Sequence, residues 1–593
     1  MKLQRNKSTP AWMGAYKNLS DLAVYGDNAL GIFAIGIKFG IDDYASAASD
    51  SITDGSGDKK CDVVYINKEL RIAIIAQCYW STKKRSEAPA NKASDLNTAV
   101  NWLLLSAEKE LPERIKYHAI ALREAIRLKE VDEINIWYVH NNTESVNCQR
   151  ELSAAERSLK SIMKSHYSDH DVTIRSCEVG ESTLDAWYTE TVSPILVTDT
   201  VEFKGPKGYE MSGKGWSAYM TCIKGSILFE LYEQHKNRLF SANVREFLGR
   251  RNSDGNINNG IATTAKDNPE DFWILNNGIT IIVNDYKVTP LRSTANVKCS
   301  LTGISIVNGA QTTGAIGSLA NRPEDSLLIS ARIVKATGRE TIFDIIRYNN
   351  SQNKVTASDF RSTDSIQKRL KEEVSQIPDC VYEGGRRGLT PEYMTRRGKE
   401  YLSSYTVGQA IAAVHGDPVI AYNQKSEIWV SDRLYSKYFP DEITGKHLVF
   451  CYSLLKAIES HKADLMAKMK TTPDDVTTEQ ADMISFYRKR GAVFLMCAAI
   501  GLSLEIVLGG KIHAQYKVMF KGDGRYVKAI ETWRPIIDSL SPLYGSLDES
   551  MSDGLKSSEK VKEGVKRFAA LVSATSSSNR DIYSKFKQSV VVS

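Results

Sequence analysis

CDVVYINKELRIAIIAQCYW, residues 61–80, contains two apolar runs, CDVVYI and RIAIIAQCYW, separated by the polar joint NKEL. Runs of this length, rich in Val, Ile and Tyr around a short connection, predict two hairpin-linked antiparallel strands. The flanking sequence extends the pattern. A helical stretch near 28–40 comes first, and helical patterns follow at 93–108 and 111–129. EINIWYVHN (133–141) and VTIRSCEV (172–179) predict a third and a fourth strand with a helix between them. Helix, hairpin, helices, strand, helix, strand is the order of a mixed sheet flanked by helices, and it occupies 1–190.

The chain has 593 residues, too many for one hydrophobic core, so two to four domains are expected. Apolar residues make up 42% and charged residues 25%, as in ordinary globular protein. Net charge is +6, from 77 basic against 71 acidic side chains, which is too small to signal nucleic acid without clustering. The first residues, MKLQRNKSTPAWMG, hold no apolar signal segment. AVFLMCAAIGLSLEIVLGG (492–510) is near spanning length, but it contains Ser503 and Glu505 and follows RKRG, so it reads as a buried helix. Nine scattered cysteines with no CxxC fit reduced thiols, and a cytoplasmic protein without a membrane span is expected. His166 and His170 stand at i,i+4 with no third ligand nearby. No GxxxxGK[ST] phosphate loop occurs, which removes a P-loop nucleotide hydrolase.

Residues 191–400 mix strands and helices around four polar strings: LFSANVREFLG (239–249), FWILNNGITII (272–282), SIVNGAQTTGAI (305–316) and RYNNSQNKVTASDF (347–360). They are dense in Asn, Gln, Gly and Thr and poor in catalytic residue types. Each sits beside an apolar run, as polar loops at strand ends do. In the third, a strand runs into Asn308-Gly309, turns, and enters a helix predicted to begin at Thr312 or Thr313. Gly and Asn tolerate the turn and Thr caps helices. The helix start would favour an anion such as phosphate. Asn308 and Gln311 could read a base edge or a ribose. An ordinary strand–turn–helix joint with its caps satisfied internally explains the same string equally well. Asn276-Asn277-Gly278 is a hairpin signal with a purely structural reading of its own. Arg245, Arg347 and Gln352 are candidate phosphate anchors. GGRRGLTPEYMTRRGKEY (384–401), with Arg386 and Arg387, suits a nucleic-acid backbone contact or a plain surface loop. From 401 to 593 the pattern is mainly helical, including a long helix over 481–508. The Ser-rich tail SATSSSNRDIYSKFKQSVVVS fits disorder.

The order and wording of the four strings resemble the central domain of the AIPR family, the abortive-infection phage-resistance proteins of bacteria, over roughly 200–400. Many such proteins resemble PD-(D/E)xK nucleases at the N-terminus, and this chain does so at Asp62, which opens one strand, and Gln77, which ends the next. The resemblance implies that Asp62 and Gln77 hold Mg²⁺ (or Mn²⁺), which activates water and neutralises phosphate. It also implies a lysine that stabilises charge. The chain departs from the pattern here: the lysine position, two residues after Gln77, is Tyr79, and a phenol of pKa about 10 carries no positive charge. Lys83 and Lys84 lie just past the strand. Lys92, in EAPANKASDLNT, is the favoured substitute because a helix start is a fixed platform whereas 81–87 reads as loop. Asp95 is an extra metal ligand or, preferably, a helix cap. Read without the resemblance, Asp62 is a turn residue after DGSGDKK and Gln77 satisfies a backbone group.

NNSQNKVTASDF, with Asn350 and Gln352, shows a shorter likeness to ParB/sulfiredoxin-like domains, and VNGAQTT to related DNA-modification motifs whose basic residue is here replaced by Thr312-Thr313. That likeness implies a nucleotide- or nucleic-acid-contacting pocket. The expected architecture is thus multidomain α/β plus α: a restriction-endonuclease-like mixed sheet over 1–190, a central α+β domain over 191–400 and a helical region over 401–593. The expected function is anti-phage defence by a Mg²⁺-dependent endonuclease whose central domain senses nucleic acid, DNA ahead of RNA, or a nucleotide through Asn277, Asn308, Gln311, Thr312, Asn350 and Gln352. The rival is a catalytically dead binding protein. The helical region offers surface for a homo-oligomer.

Overall fold

The computed structural model describes residues 10–592 apart from 54, 56, 84–86, 193, 194, 196, 241–251, 293, 294, 338–340, 343, 344, 346–357, 359, 360, 362, 363 and 385–399. The chain is mixed α/β and forms two compact units, one of residues 1–185 with 356–593 and one of 186–355.

After a short helix at Ala11–Asn18, the first unit sets helix α1 (Ala29–Phe39), whose residues through Ile37 are all buried. With the turns before it, the stretch 20–39 is long and apolar enough to cross a membrane by length and composition. Gly26 (φ 57°, ψ −134°) kinks that stretch. A side chain at Gly31 would meet Cys78 Sγ at 2.7 Å, so glycine lets this helix approach the sheet. The hairpin forms as its apolar runs predict: β1 (Val63–Asn67) pairs antiparallel with β2 (Ile72–Tyr79), Val63 opposite Ala76 and Asn67 opposite Ile72. Helices α2 (Ala90–Leu104) and α3 (Glu113–Arg127) follow. Strand β3 (Glu133–His140) runs parallel to β2, α4 (Val146–His166) returns the chain, and β4 (Thr173–Val179) runs parallel to β3. The sheet order is β1-β2-β3-β4. Its core face is built from alternate residues, among them Ala73, Ile75, Ile134 and Ile136, against Leu96, Val100 and Leu103 of α2 and Leu152 and Leu159 of α4.

The second unit is a seven-stranded sheet of β5 (Val197–Pro206), β6 (Tyr209–Gly213), β7 (Trp216–Lys224), β8 (Ile279–Val283), β9 (Asp285–Pro290), β10 (Asn296–Asn308) and β11 (Leu328–Ala336). Helices α5 (Gly225–His235) and α6 (Ala310–Gly317) accompany it. Its order is β5-β10-β8-β11-β7-β6, with β9 on β10 and, among the described residues, a single parallel pairing, β8 with β11. The five residues of β6 are all exposed and none of β9 is buried, so no apolar run marks these two strands, whereas β7 buries four of its nine residues.

The helical remainder of the first unit includes α7 (Ser404–Val414), α8 (Gly445–Thr471), α9 (Thr478–Arg488), α10 (Ala492–Leu502), α11 (Tyr526–Leu540), α12 (Ser558–Ala574) and α13 (Arg580–Ser589). Two expectations are corrected here. The helix predicted over 481–508 is broken: Gly491 takes φ 88° between α9 and α10, and a further short helix, Leu504–Leu508, follows Ser503. The Ser-rich tail is ordered, because Tyr583 and Phe586 of α13 are buried and the Phe586 ring lies 4.7 Å from that of Trp533. Apolar α10 is buried in this core. The N-terminal and helical segments share a buried ion cluster, in which Lys456 Nζ donates to Asp43 at 2.6 and 2.7 Å and to Glu459 at 3.0 Å.

Candidate functional site

Asp62 stands just before β1, and its N–H donates to Ala76 O at 2.9 Å, which places its side chain beside Gln77 on β2. Asp62 Oδ2 accepts two hydrogen bonds of 2.6 Å, from Gln77 Nε2 and from the Cys78 N–H. Both side chains are buried, at 5% exposure each. The other end of the Gln77 amide is different: Oε1 is buried and has no hydrogen-bond partner among the described residues. An unpaired buried acceptor costs about 1–3 kcal/mol, so this atom is either strained or reserved for a donor or cation.

The neighbouring strands add to this corner. Gln77 is in register with Tyr138 on β3, and Tyr138 with Glu178 on β4; Tyr79 is in register with His140. Because β2, β3 and β4 are parallel, these side chains form a band at the carboxyl ends of the strands, the usual place for a ligand on such a sheet. His140 Nε2 lies 3.1 Å from Glu178 Oε1, with both side chains buried. The Asn142 N–H donates to His140 Nδ1 at 3.2 Å, so Nε2 carries the proton directed at the carboxylate. Glu178 also accepts the Ser145 N–H at 3.0 Å. The Tyr138 hydroxyl is a second buried group without a partner among the described residues. Burial, then the nearby Cys148, holds that phenol well above its ordinary value, so it stays a neutral O–H.

Helix α2 begins at Ala90 behind Pro89, with no side-chain cap. Its first turn brings Lys92 to the sheet edge, where Nζ lies 5.9 Å from the centre of the Tyr79 ring, within cation–π range. The lysine thus meets the residue that occupies the usual lysine position. Asp95 lies inside the helix and pairs with Lys60 at 3.5 Å, which corrects the expectation that it caps the helix. Lys83 is exposed, and Lys84 lies outside the described residues. His140, Glu178 and Tyr138 went unnoticed in the sequence. The readable signal was their phase: each follows the inward alternation of its strand (Ile134, Ile136, Tyr138, His140; Ile174, Ser176, Glu178), where an apolar residue is expected.

The second unit gathers another set. Asn308 ends β10 opposite Thr280 near the start of β8, so Asn277, Asn308 and Gln311 come to one end of the sheet, all exposed. Helix α6 starts at Ala310 rather than at Thr312 or Thr313, and Gly309 (φ 90°) precedes it; a Cβ there would stand 2.5 Å from Ile279 Cγ2. Neither threonine caps. Thr312 is buried and its hydroxyl lies 3.2 Å from Asn276 Nδ2, while Thr313 Oγ1 donates to Gly309 O at 3.0 Å. Asn276-Asn277-Gly278 is not a hairpin turn either. It joins the single helical turn Phe272–Leu275 to β8, with Asn276 Oδ1 accepting the Gly278 N–H at 2.9 Å. Arg245, Arg347, Asn350, Gln352, Arg386 and Arg387 lie outside the described residues.

This geometry defines a class: a multidomain α/β protein with a buried polar corner at a sheet edge and a second, amide-rich strand end. Residues 240–499 match the model of one family, described as AIPR protein. This segment, less than half of the chain, is similar to the AIPR family, and the match supports an abortive-infection, anti-phage role. The match begins after β7, so the Asp62–Gln77 corner lies outside it. No curated protein and no solved structure matches the chain.

Proposed function

We propose that this protein is an anti-phage effector that hydrolyses phosphodiester bonds with a divalent cation held at Asp62 and Gln77. The observation that carries the reading is the buried Gln77 Oε1, unpartnered among the described residues, beside the Asp62 carboxylate. A carboxylate and an amide oxygen are hard donors that suit Mg²⁺ or Mn²⁺, and a magnesium site needs only one or two protein ligands when waters and substrate phosphate complete it. When bound, the ion would activate a water and offset phosphate charge. Lys92 supplies the positive charge that Tyr79 cannot, and the Tyr79 ring gives its ammonium a resting place. The buried His140–Glu178 pair braces the adjoining strand ends. The exposed amides of Asn277, Asn308 and Gln311 are the groups through which the second unit would contact nucleic acid, DNA ahead of RNA, or a nucleotide.

A specific observation favours a second reading, a binding module without hydrolysis. Asp62 Oδ2 already takes two short hydrogen bonds, Glu178 is engaged with His140, and the amide Gln77 stands where a second carboxylate would hold a divalent ion more firmly. A cleavage assay separates the readings. The full chain is incubated with supercoiled plasmid, linear duplex, single-stranded DNA and RNA in Mg²⁺ or Mn²⁺, beside Asp62→Ala and Lys92→Ala. Metal-dependent cutting lost in both variants supports the effector. Nucleic-acid binding that survives both Asp62→Ala and chelator, with no cutting on any substrate, supports the module.

A further inference from the structure

We propose that His415, His447 and Cys451 form a zinc site in the helical part of the first unit, separate from the Asp62–Gln77 corner. His447 and Cys451 stand one turn apart on α8, so their side chains share a helix face. His415 closes α7, its N–H donating to Ile411 O at 3.0 Å, and its ring stacks on Tyr516 with 4.3 Å between centroids. The three donor atoms converge. His415 Nε2 lies 3.0 Å from His447 Nε2, Cys451 Sγ lies 3.3 Å from the same nitrogen, and all three fall within 4.8 Å of one another.

Ligand-bond lengths decide whether one ion could reach them. Zinc–nitrogen bonds of about 2.0–2.1 Å and a zinc–sulfur bond of about 2.3 Å at tetrahedral angles imply N···N edges of about 3.3 Å and N···S edges of about 3.5 Å. The two measured separations, 3.0 and 3.3 Å, fall short by only a few tenths of an ångström. The third edge, His415 Nε2 to Cys451 Sγ, lies within 4.8 Å and closes to about 3.5 Å in a tetrahedral site by turning these side chains.

Hydrogen bonding alone explains the cluster poorly. His447 Nδ1 lies 2.8 Å from Val518 O, so Nδ1 carries the proton and donates it, and Nε2 offers one lone pair. The His415 imidazole, whose ring also hydrogen-bonds Gln515, and the Cys451 sulfur both crowd that single pair. One cation resolves the conflict by taking a lone pair from each of the three. The Val518 contact is also the outer hydrogen bond that fixes tautomer and ring direction in metal-binding histidines. Burial keeps both imidazoles in the neutral, ligating form: His415 is lowered to about 3, by burial first and then by His447, and His447 to about 4 by burial. Binding therefore releases one proton, from the Cys451 thiol, and no redox step is involved. Two imidazoles and one thiolate suit zinc, and three protein ligands leave the fourth position to water. The ion would clip the end of α7 to α8 and, through Val518, to the segment before α11.

The test uses the full chain. Metal content is measured after chelator treatment and reconstitution with Zn²⁺, for the native sequence and for His415→Ala and Cys451→Ser, with folding checked by circular dichroism. About one zinc per chain is expected, with affinity lowered about 10-fold or more in each variant. Replacing zinc with Co²⁺ should give a thiolate-to-cobalt charge-transfer band that disappears in Cys451→Ser, a signature no carboxylate–amide site can produce. Folded native chain that takes up no zinc would overturn the proposal. So would full zinc content in both variants, or a Co²⁺ complex without the thiolate band. Asp62→Ala should leave the zinc content unchanged, so failure here and failure of the nuclease reading are told apart.

Discussion

The two strand-end regions of this molecule are both polar and differ in how far their polar groups are buried. At the edge of the first unit's sheet, Asp62, Gln77, Tyr138, His140 and Glu178 are buried, and two of their polar atoms, Gln77 Oε1 and Tyr138 Oη, lack partners among the described residues. At the end of the second unit's sheet, the inward groups Asn276, Thr312 and Thr313 satisfy one another or the backbone, and Asn277, Asn308 and Gln311 face solvent. An exposed amide costs nothing when unpaired, since water serves it. A buried one is expensive. Orphaned atoms therefore say more about a ligand than a wealth of Asn and Gln does, and the second region's polar strings are in part structural joinery.

The variants that would break this comparison rank by expected effect. Asp62→Ala should have the largest, lowering metal-dependent cleavage by well over about 100-fold, since even outer partners of a metal ligand are worth about 10–100-fold. Cleavage kinetics on the preferred substrate measure it. Gln77→Glu comes next and cuts both ways. Without metal it removes the Nε2 donor and buries a second negative charge beside Asp62, so it should destabilise the first unit by about 2 kcal/mol or more. Mn²⁺ should restore the melting temperature and bind more tightly than to the native chain, because a carboxylate is a stronger ligand than an amide. If the corner is mere joinery, the loss will appear and Mn²⁺ will not mend it.

Lys92→Ala should lower cleavage by about 10-fold or more while costing under about 1 kcal/mol in stability, the range of one exposed cation–π contact. The smallest effects belong to the second region. Asn277→Ala, Asn308→Ala and Gln311→Ala should each change stability by no more than about 0.5 kcal/mol, and fluorescence anisotropy with labelled DNA should show weaker binding. Gly309→Ala is the contrast within that region. It should destabilise the second unit clearly, because a Cβ would collide with Ile279 and φ is 90°.

Much of the first sheet was legible because its strands are continuous apolar runs bounded by turn residues. The predicted β1 to β4 fall within a residue or two of those observed. The pairing of Asp62 with Gln77 followed from hairpin register, and the approach of Lys92 from the position of the next helix. What failed to show has physical causes. Gly491 breaks the 481–508 helix although the apolar pattern continues through it, because the break depends on a left-handed backbone angle rather than on hydrophobicity. The tail is ordered by two aromatic residues that its serines mask. The joining of the first and last segments rests on ion pairs such as Lys456–Asp43 and Arg490–Asp50, at 2.6 Å each. Their partners are more than 400 residues apart, and no local pattern announces them. The convergence of His415 with His447 and Cys451 is hidden for the same reason: only the i,i+4 half of it lies on one helix.

The most direct test of the central claim, that the Asp62–Gln77 corner is a cation site, is the binding of Mn²⁺ to the full chain, followed by its paramagnetic resonance. A bound ion is expected that is lost in Asp62→Ala, held more tightly in Gln77→Glu and untouched in Cys451→Ser. Equal Mn²⁺ binding by the native chain, Asp62→Ala and Gln77→Glu would contradict it.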